Sequence, residues 1–154
     1  MASATLRRYW NRLRRSLAGT PVGFVYSPGY RVDLGGSPYD PERAERILTF
    51  LLTEGLISKD NVFRPRRASL QDLRLAHSAA YLEGLRDPET LTAILGVEVR
   101  DEVYQQALQA QRLAVGGTLL ATRHALRRNS VTVNLGGGFH HARPEAGRGF
   151  CIFN

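Results

Sequence analysis

The sequence has one cysteine, one methionine and one tryptophan in 154 residues, and no acidic residue among its first 20. The lone Cys151 excludes an internal disulfide framework and a cysteine-based zinc finger. A chain without disulfides suits a reducing compartment, so a cytoplasmic location is expected, with organellar import left open by the amino terminus. No apolar run approaches the roughly 18–20 residues that a membrane span needs. Asp-x-His, His-Glu-x-x-His and any cysteine pair are all missing, so nothing visible builds a three-ligand metal site. The glycine-rich segment near the end lacks a Gly-Lys-Ser/Thr ending, which argues against a phosphate-cradling loop.

What is present reads as one globular domain: 43% hydrophobic and 23% charged residues. The net charge of +7 is unevenly spread. Arg7, Arg8, Arg12, Arg14 and Arg15 supply +5 within residues 1–20, leaving +2 for residues 21–154. A basic face across the whole domain is not indicated, so a dedicated nucleic-acid binder is not expected.

Residues 1–20 read as a basic amphipathic helix, with Leu6, Trp10, Leu13 and Leu17 at helical spacing, ended by Gly19, Thr20 and Pro21. A packing extension, an anchor to anionic lipid or a partner, and a transit peptide remain open for it. Residues 22–26 are predicted as a strand, and 27–40 as a Gly/Pro-rich loop. Asp40-Pro41-Glu42 reads as an Asp N-cap, a proline in the first position and an acidic first turn. It opens a helix to about Glu54, with Ile47, Leu48, Leu51 and Leu52 as its buried stripe, stopped by Gly55. Ser69 and Asp72 resemble a capping box, and a further short helix covers about 79–85. The longest helix spans 102–127 and is interrupted by Gly116-Gly117, a pair that implies close packing against a neighbour. Residues 131–134 form a short strand running into Gly136-Gly137-Gly138-Phe139-His140-His141. This order points to an α/β fold with a parallel sheet, whose ligands bind beyond the carboxyl ends of the strands.

The glycine loop lies at such an end. Three glycines permit positive φ and close backbone approach. The paired imidazoles suit proton transfer near neutral pH. Adjacent residues splay their side chains, which favours acid/base roles over shared ligation of one ion. A surface turn with two solvated histidines stands beside that reading. Cys151 could pair with a histidine as a nucleophile. Its place in the apolar, strand-like run 149–153 favours a buried, inert thiol. His77 reads as packed or capping, and His124 as lying on a solvated helix face.

Gly136 to Ala142, followed by Gly147-Arg-Gly-Phe-Cys-Ile-Phe-Asn154, resembles the active-site segment of the histone deacetylase superfamily, nearest its class IV members and bacterial relatives. Val25-Tyr-Ser-Pro28, the Ser69–Asp72–His77–Tyr81-Leu82 spacing and Gly116-Gly-Thr118 are similar to further family elements. Ser37-Pro-Tyr-Asp-Pro-Glu-Arg43 resembles the family's H-P-x-x-P-x-R, with Ser37 in place of the histidine.

The resemblance covers about residues 22–154. It implies an arginase-like, three-layer αβα fold, incomplete here, with residues 1–20 as an extension and 21–154 as the amino-terminal part of a deacetylase domain. It also implies a zinc-dependent amidohydrolase acting on acylated lysine or an acylated small amine. In that reading His141 is the general base and then acid, and His140 its electrostatic partner. Gly149 and Phe150 line an acyl-lysine tunnel, Gly138 contributes to the substrate site, and Arg43 lies at the inner end of the pocket. Zn²⁺ is expected for the complete domain, with its ligands outside this chain, so the 154-residue piece alone should lack both zinc and turnover. A non-catalytic binder of acyl-lysine or a protein partner, and a weak membrane or partner contact through residues 1–20, are the alternatives.

Overall fold

The computed structural model describes residues 3–17, 22–34, 40–98 and 101–154. Gly19–Pro21 and the Ser37-Pro38-Tyr39 element lie outside the described residues.

Among the described residues three short strands form one parallel sheet: β1 (Gly23–Val25) at its centre, flanked by β2 (Val62–Phe63) and β3 (Thr132–Asn134). Phe24 stands opposite both Val62 and Val133, and Val25 opposite both Phe63 and Asn134. All three strands therefore deliver their following segments to the same edge. The sequence places β1 and β3 to within a residue or two but gives no sign of β2, whose two residues are too few to show alternation. Val131 and Val133 stay exposed along β3, and among the described residues β3 pairs only with β1, so its outer edge is open.

Among the described residues six α-helices accompany the sheet: α1 (Ala4–Leu17), α2 (Arg43–Thr53), α3 (Leu70–Arg74), α4 (Ala79–Gly84), α5 (Pro88–Leu95) and α6 (Asp101–Arg128). Parallel neighbours require crossovers. α2 lies in the one from β1 to β2, and α3 to α6 in the one from β2 to β3. The larger core packs Leu73, Leu91, Leu95 and Ile152, all at most 2% exposed, between α3, α5 and α6. A smaller one gathers Tyr30, Ala44, Ala114 and Leu135 under the glycine loop.

Several expectations are corrected. α2 begins at Arg43, not at Asp40. Asp40 instead closes a turn, its Oδ1 accepting from Glu42 N at 3.0 Å and its other oxygen pairing with Arg46. The same Asp-Pro-Glu signal recurs at 87–89, where Asp87 does cap α5 and accepts from Glu89 N at 3.1 Å. Ile47 is 41% exposed and Ala44 is the buried residue of α2, so the apolar stripe is shifted. α6 runs unbroken through Gly116 and Gly117. A Cβ at Gly116 would lie 1.8 Å from Arg66 O, and one at Gly117 would lie 2.3 Å from the Tyr30 hydroxyl. The two glycines thus serve contact, as the sequence implies, and not a break.

His124 is half-buried, not on a solvated face. Its ring lies 4.2 Å from that of Phe63 and its Nδ1 bonds Thr132 Oγ1 at 2.9 Å, so it ties α6 to β2 and β3. The run 149–153 is a turn and not a strand, with Arg148 and Cys151 bridging each other.

α1 meets the body through its polar face. Arg7 and Arg8 reach Glu54 at 2.6 and 3.2 Å, and Asn11 Nδ2 donates to Glu54 O at 3.0 Å. Glu54 is buried, and desolvation alone would raise its pKa. The hydrogen bonds and charges of Arg8 and Arg7 outweigh that and hold it lowered. The apolar residues Leu6, Trp10 and Leu17 point away from this contact and are 47%, 50% and 78% exposed.

Candidate functional site

The segment leaving β3 is organised by Asn134. Its Oδ1 accepts from the Tyr30 hydroxyl at 2.9 Å and from Gly136 N at 3.2 Å, and its Nδ2 donates to Ala114 O at 2.8 Å. One side chain thus locks β3, α6 and the start of the loop together. Burial raises the Tyr30 phenol far above its ordinary pKa, which keeps it a donor. Gly136 lies against the Tyr30 ring, where any Cβ would come within 2.4 Å. Gly138 takes φ +106, a conformation that side chains rarely adopt. Arg43 Nη2 donates to Gly137 O at 3.1 Å, which places Arg43 beneath the loop from α2.

His140 and His141 follow, their ring centroids 4.1 Å apart. Both are exposed, and they line an open cleft with Arg143, Arg148 and Gly149. His140 Nδ1 lies 2.8 Å from Gly138 O. A carbonyl only accepts, so Nδ1 carries the hydrogen, and in the neutral ring Nε2 is left as the base. The His141 ring lies close beside Gly149, with its Cδ2 3.3 Å from where a Cβ would stand. Gly149 also takes φ +55. A side chain at 149 would therefore be strained by the backbone and pressed on the imidazole.

Phe150 also adopts positive φ, at +66, which costs a non-glycine residue about 1 kcal/mol or more. It is held from two sides. Its N donates to Ile94 O at 3.2 Å, and its carbonyl accepts from the Gln111 amide. Gln111 Oε1 in turn accepts from Ile152 N at 2.9 Å. Phe150 lines a separate apolar cavity with Tyr30, Leu95, Gln111 and Phe139. At about 20 Å³ this cavity has room for about one water. Gly149 lines the histidine cleft and Phe150 this apolar cavity.

His77 is the packed residue expected, 3% exposed. Its Nδ1 bonds Arg143 O at 3.0 Å and its Nε2 accepts from Asn154 N at 3.0 Å, so both nitrogens of a neutral ring are satisfied. The Cys151 thiol is buried and donates to Gly149 O at 3.5 Å.

Among the described residues no three His, Cys, Asp or Glu side chains converge. The histidine cleft has guanidinium groups and no carboxylate in its wall. The described residues therefore do not fit a zinc site at this cleft.

Asn134 and Gln111 are site residues that the sequence does not single out. Each carries a faint signal. Asn134 is the polar residue where an apolar strand meets the glycines, and Gln111 interrupts the small-residue stripe Ala107, Ala110, Ala114.

A family model described as the histone deacetylase domain matches residues 37–154. Histone deacetylase 2 of Arabidopsis thaliana is 35% identical over 141 residues, which cover 86% of this chain and 36% of that protein. The acetoin utilization protein AcuC of Bacillus subtilis (strain 168) is 29% identical over 141 residues, covering 85% and 36%. A crystal structure of an HDAC homolog complexed with SAHA superposes with a TM-score of 0.70 at 24% identity, covering 88% of this chain and 39% of that one. The superposition shows the arginase-like α/β architecture, here in part. The chain spans little more than a third of the length of these relatives.

Proposed function

Because the chain belongs to the histone deacetylase family, we propose that residues 21–154 are the amino-terminal part of a deacylase that hydrolyses the amide of acyl-lysine or a related acylated amine. The observation that carries this reading is the imidazole pair: two histidines on a loop locked by Asn134, one tautomer fixed by Gly138 O, the other ring beside a left-handed Gly149. In the proposed reaction His141 accepts a proton from the attacking water and returns it to the departing amine, so that amide and water give carboxylate and amine. His140 stabilises the charge that develops beside it. Arg43 holds the loop carbonyl at Gly137, and Gly149 leaves room for the substrate chain. The zinc of a complete domain would draw its ligands from residues other than those described.

The test uses a protein that contains this segment with the remainder of the domain. His141→Ala should lower turnover of an acetyl-lysine peptide by about 10²–10⁴-fold with an unchanged circular dichroism spectrum. A kcat within twofold of wild type would overturn the role.

A second reading, an interaction module acting through residues 1–20, is supported by the outward Leu6, Trp10 and Leu17 of α1. Binding to anionic vesicles that vanishes on deletion of residues 1–20 would support it, and unchanged binding would refute it.

A further inference from the structure

The segment that follows β2 carries charge that nothing in the proposed reaction uses. Arg64, Arg66 and Arg67 line a cleft together with Arg123 of α6, and among the described residues Asp72 is the one carboxylate in its wall. All four arginines are exposed, and none forms an ion pair among the described residues. Asp72 is already engaged, since its Oδ2 accepts from the Ser69 N–H and hydroxyl, both at 2.8 Å. Those bonds hold the Asp72 carboxyl below its usual range against a small cost of burial, and the charges of Arg123 and Arg66 add to the effect. The guanidinium field therefore reaches into the cleft.

The backbone that carries these arginines is fixed. Tyr26 N donates to Phe63 O at 3.0 Å at one end. At the other, Ala68 N donates to Arg112 O at 2.9 Å, and Ala68 O accepts from Arg112 Nε and Nη2 at 3.1 and 2.8 Å. Between them Arg66 O rests against Gly116, where no larger residue fits. Three arginines in four positions are thus mounted on a clamped strand end, with a fourth facing them.

The cleft holds a net charge of +3, whereas residues 21–154 as a whole carry +2. The rest of the body is net negative. Concentrating like charges on a rigid frame disfavours the folded state unless a counter-anion is taken up. Guanidinium forks match phosphate oxygens two at a time and desolvate readily. The space is about 230 Å³, below the roughly 300–1,000 Å³ of pockets for drug-sized ligands. That suits a chain of two or three phosphates. A nucleic-acid backbone needs a longer basic track than the four arginines of this cleft make.

We infer that the Arg64–Arg66–Arg67–Arg123 cleft is a binding site for a small oligophosphate anion. The site is independent of the histidine cleft.

Calorimetric titration of the full 154-residue chain with inorganic tripolyphosphate tests it. One saturable site is expected, weakened by added salt. Arg66→Gln with Arg123→Gln should weaken it at least tenfold, while Arg127→Gln, outside the cleft, should leave it unchanged. All of these side chains are exposed, so the fold should survive, and circular dichroism checks that. A nucleoside triphosphate that binds more tightly than tripolyphosphate would assign a nucleotide as the source of the phosphates. Equal binding would assign the bare phosphate chain. The inference is overturned if the double variant binds like wild type, if orthophosphate and tripolyphosphate bind alike, or if a single-stranded oligonucleotide is strongly preferred.

Discussion

The segments around His77 and around His141 use the same side chain to opposite ends. His77 is buried with both nitrogens bonded, one to Arg143 and one to Asn154, and its ring meets Tyr81 and Phe153 at 5.3 and 5.9 Å. Tyr81 completes this bracket by donating to Ile152 O at 2.7 Å, and burial pushes its phenol up to about 12. His140 and His141 are exposed, on a loop held by Asn134; among the described residues His140 bonds through Nδ1 to Gly138 O, and neither its Nε2 nor a ring nitrogen of His141 is bonded. A histidine whose bonds are all satisfied can only hold structure. One whose ring is oriented but whose second nitrogen is free can exchange a proton.

The largest effect expected is on the bracket. His77→Ala removes a buried ring, orphans the Asn154 N–H and leaves the Arg143 carbonyl with Ala146 N as its remaining donor. It should cost about 3–4 kcal/mol in urea unfolding. A loss under 1 kcal/mol would mean that the bracket does not carry this end of the chain. Gln111→Ala comes next, at about 2–3 kcal/mol, because the Ile152 N–H and the Phe150 carbonyl lose their shared amide. It should also free Phe150 from its left-handed φ, visible as faster amide exchange at 149–152. On the loop side, His140→Ala and His141→Ala should each change stability by no more than about 0.5 kcal/mol. A larger loss would erase the distinction between the two segments.

Much of this division was legible in the sequence because it rests on local rules. Gly136 to His141 announced a loop at a strand end, and Ser69 with Asp72 announced a cap that the structure reproduces. Gly116-Gly117 announced a close approach but not its target, since Arg66 and Tyr30 are remote in sequence. The α2 start was misplaced because Asp-Pro-Glu encodes a turn as readily as a cap. Only packing decides between Asp40 and Asp87. β2 has two residues, and pairing alone makes it a strand. Gln111 and Asn134 were invisible as site residues for a similar reason. The bonds of Gln111 to Phe150 and Ile152 and of Asn134 to Tyr30 span 39, 41 and 104 positions, and no periodicity records such a partner.

The arginines repeat the contrast between satisfied and open groups, and the satisfied set gives the smallest effect. Arg7 and Arg8 are engaged by Glu54, whereas Arg64, Arg66, Arg67 and Arg123 face a cleft with one occupied acid. Burial opposes the Glu54 charge, yet the Arg8 and Arg7 bonds hold its pKa lowered in the folded chain. A carboxyl whose pKa falls on folding stabilises the docked state fully above its unfolded value of about 4.3, and that gain is lost as pH falls through the lowered folded value. Amide-exchange protection across Ala4–Leu17 should therefore be flat from pH 7 to 5 and fall below about pH 4, while residues 107–121 of α6 keep theirs. Glu54→Gln should reproduce the acid behaviour at pH 7, because the amide keeps an acceptor but not the charge. Protection of α1 that stays level to pH 3, or survives Glu54→Gln, would show that packing of Arg12 on Gly55 holds the helix and that the carboxylate does not.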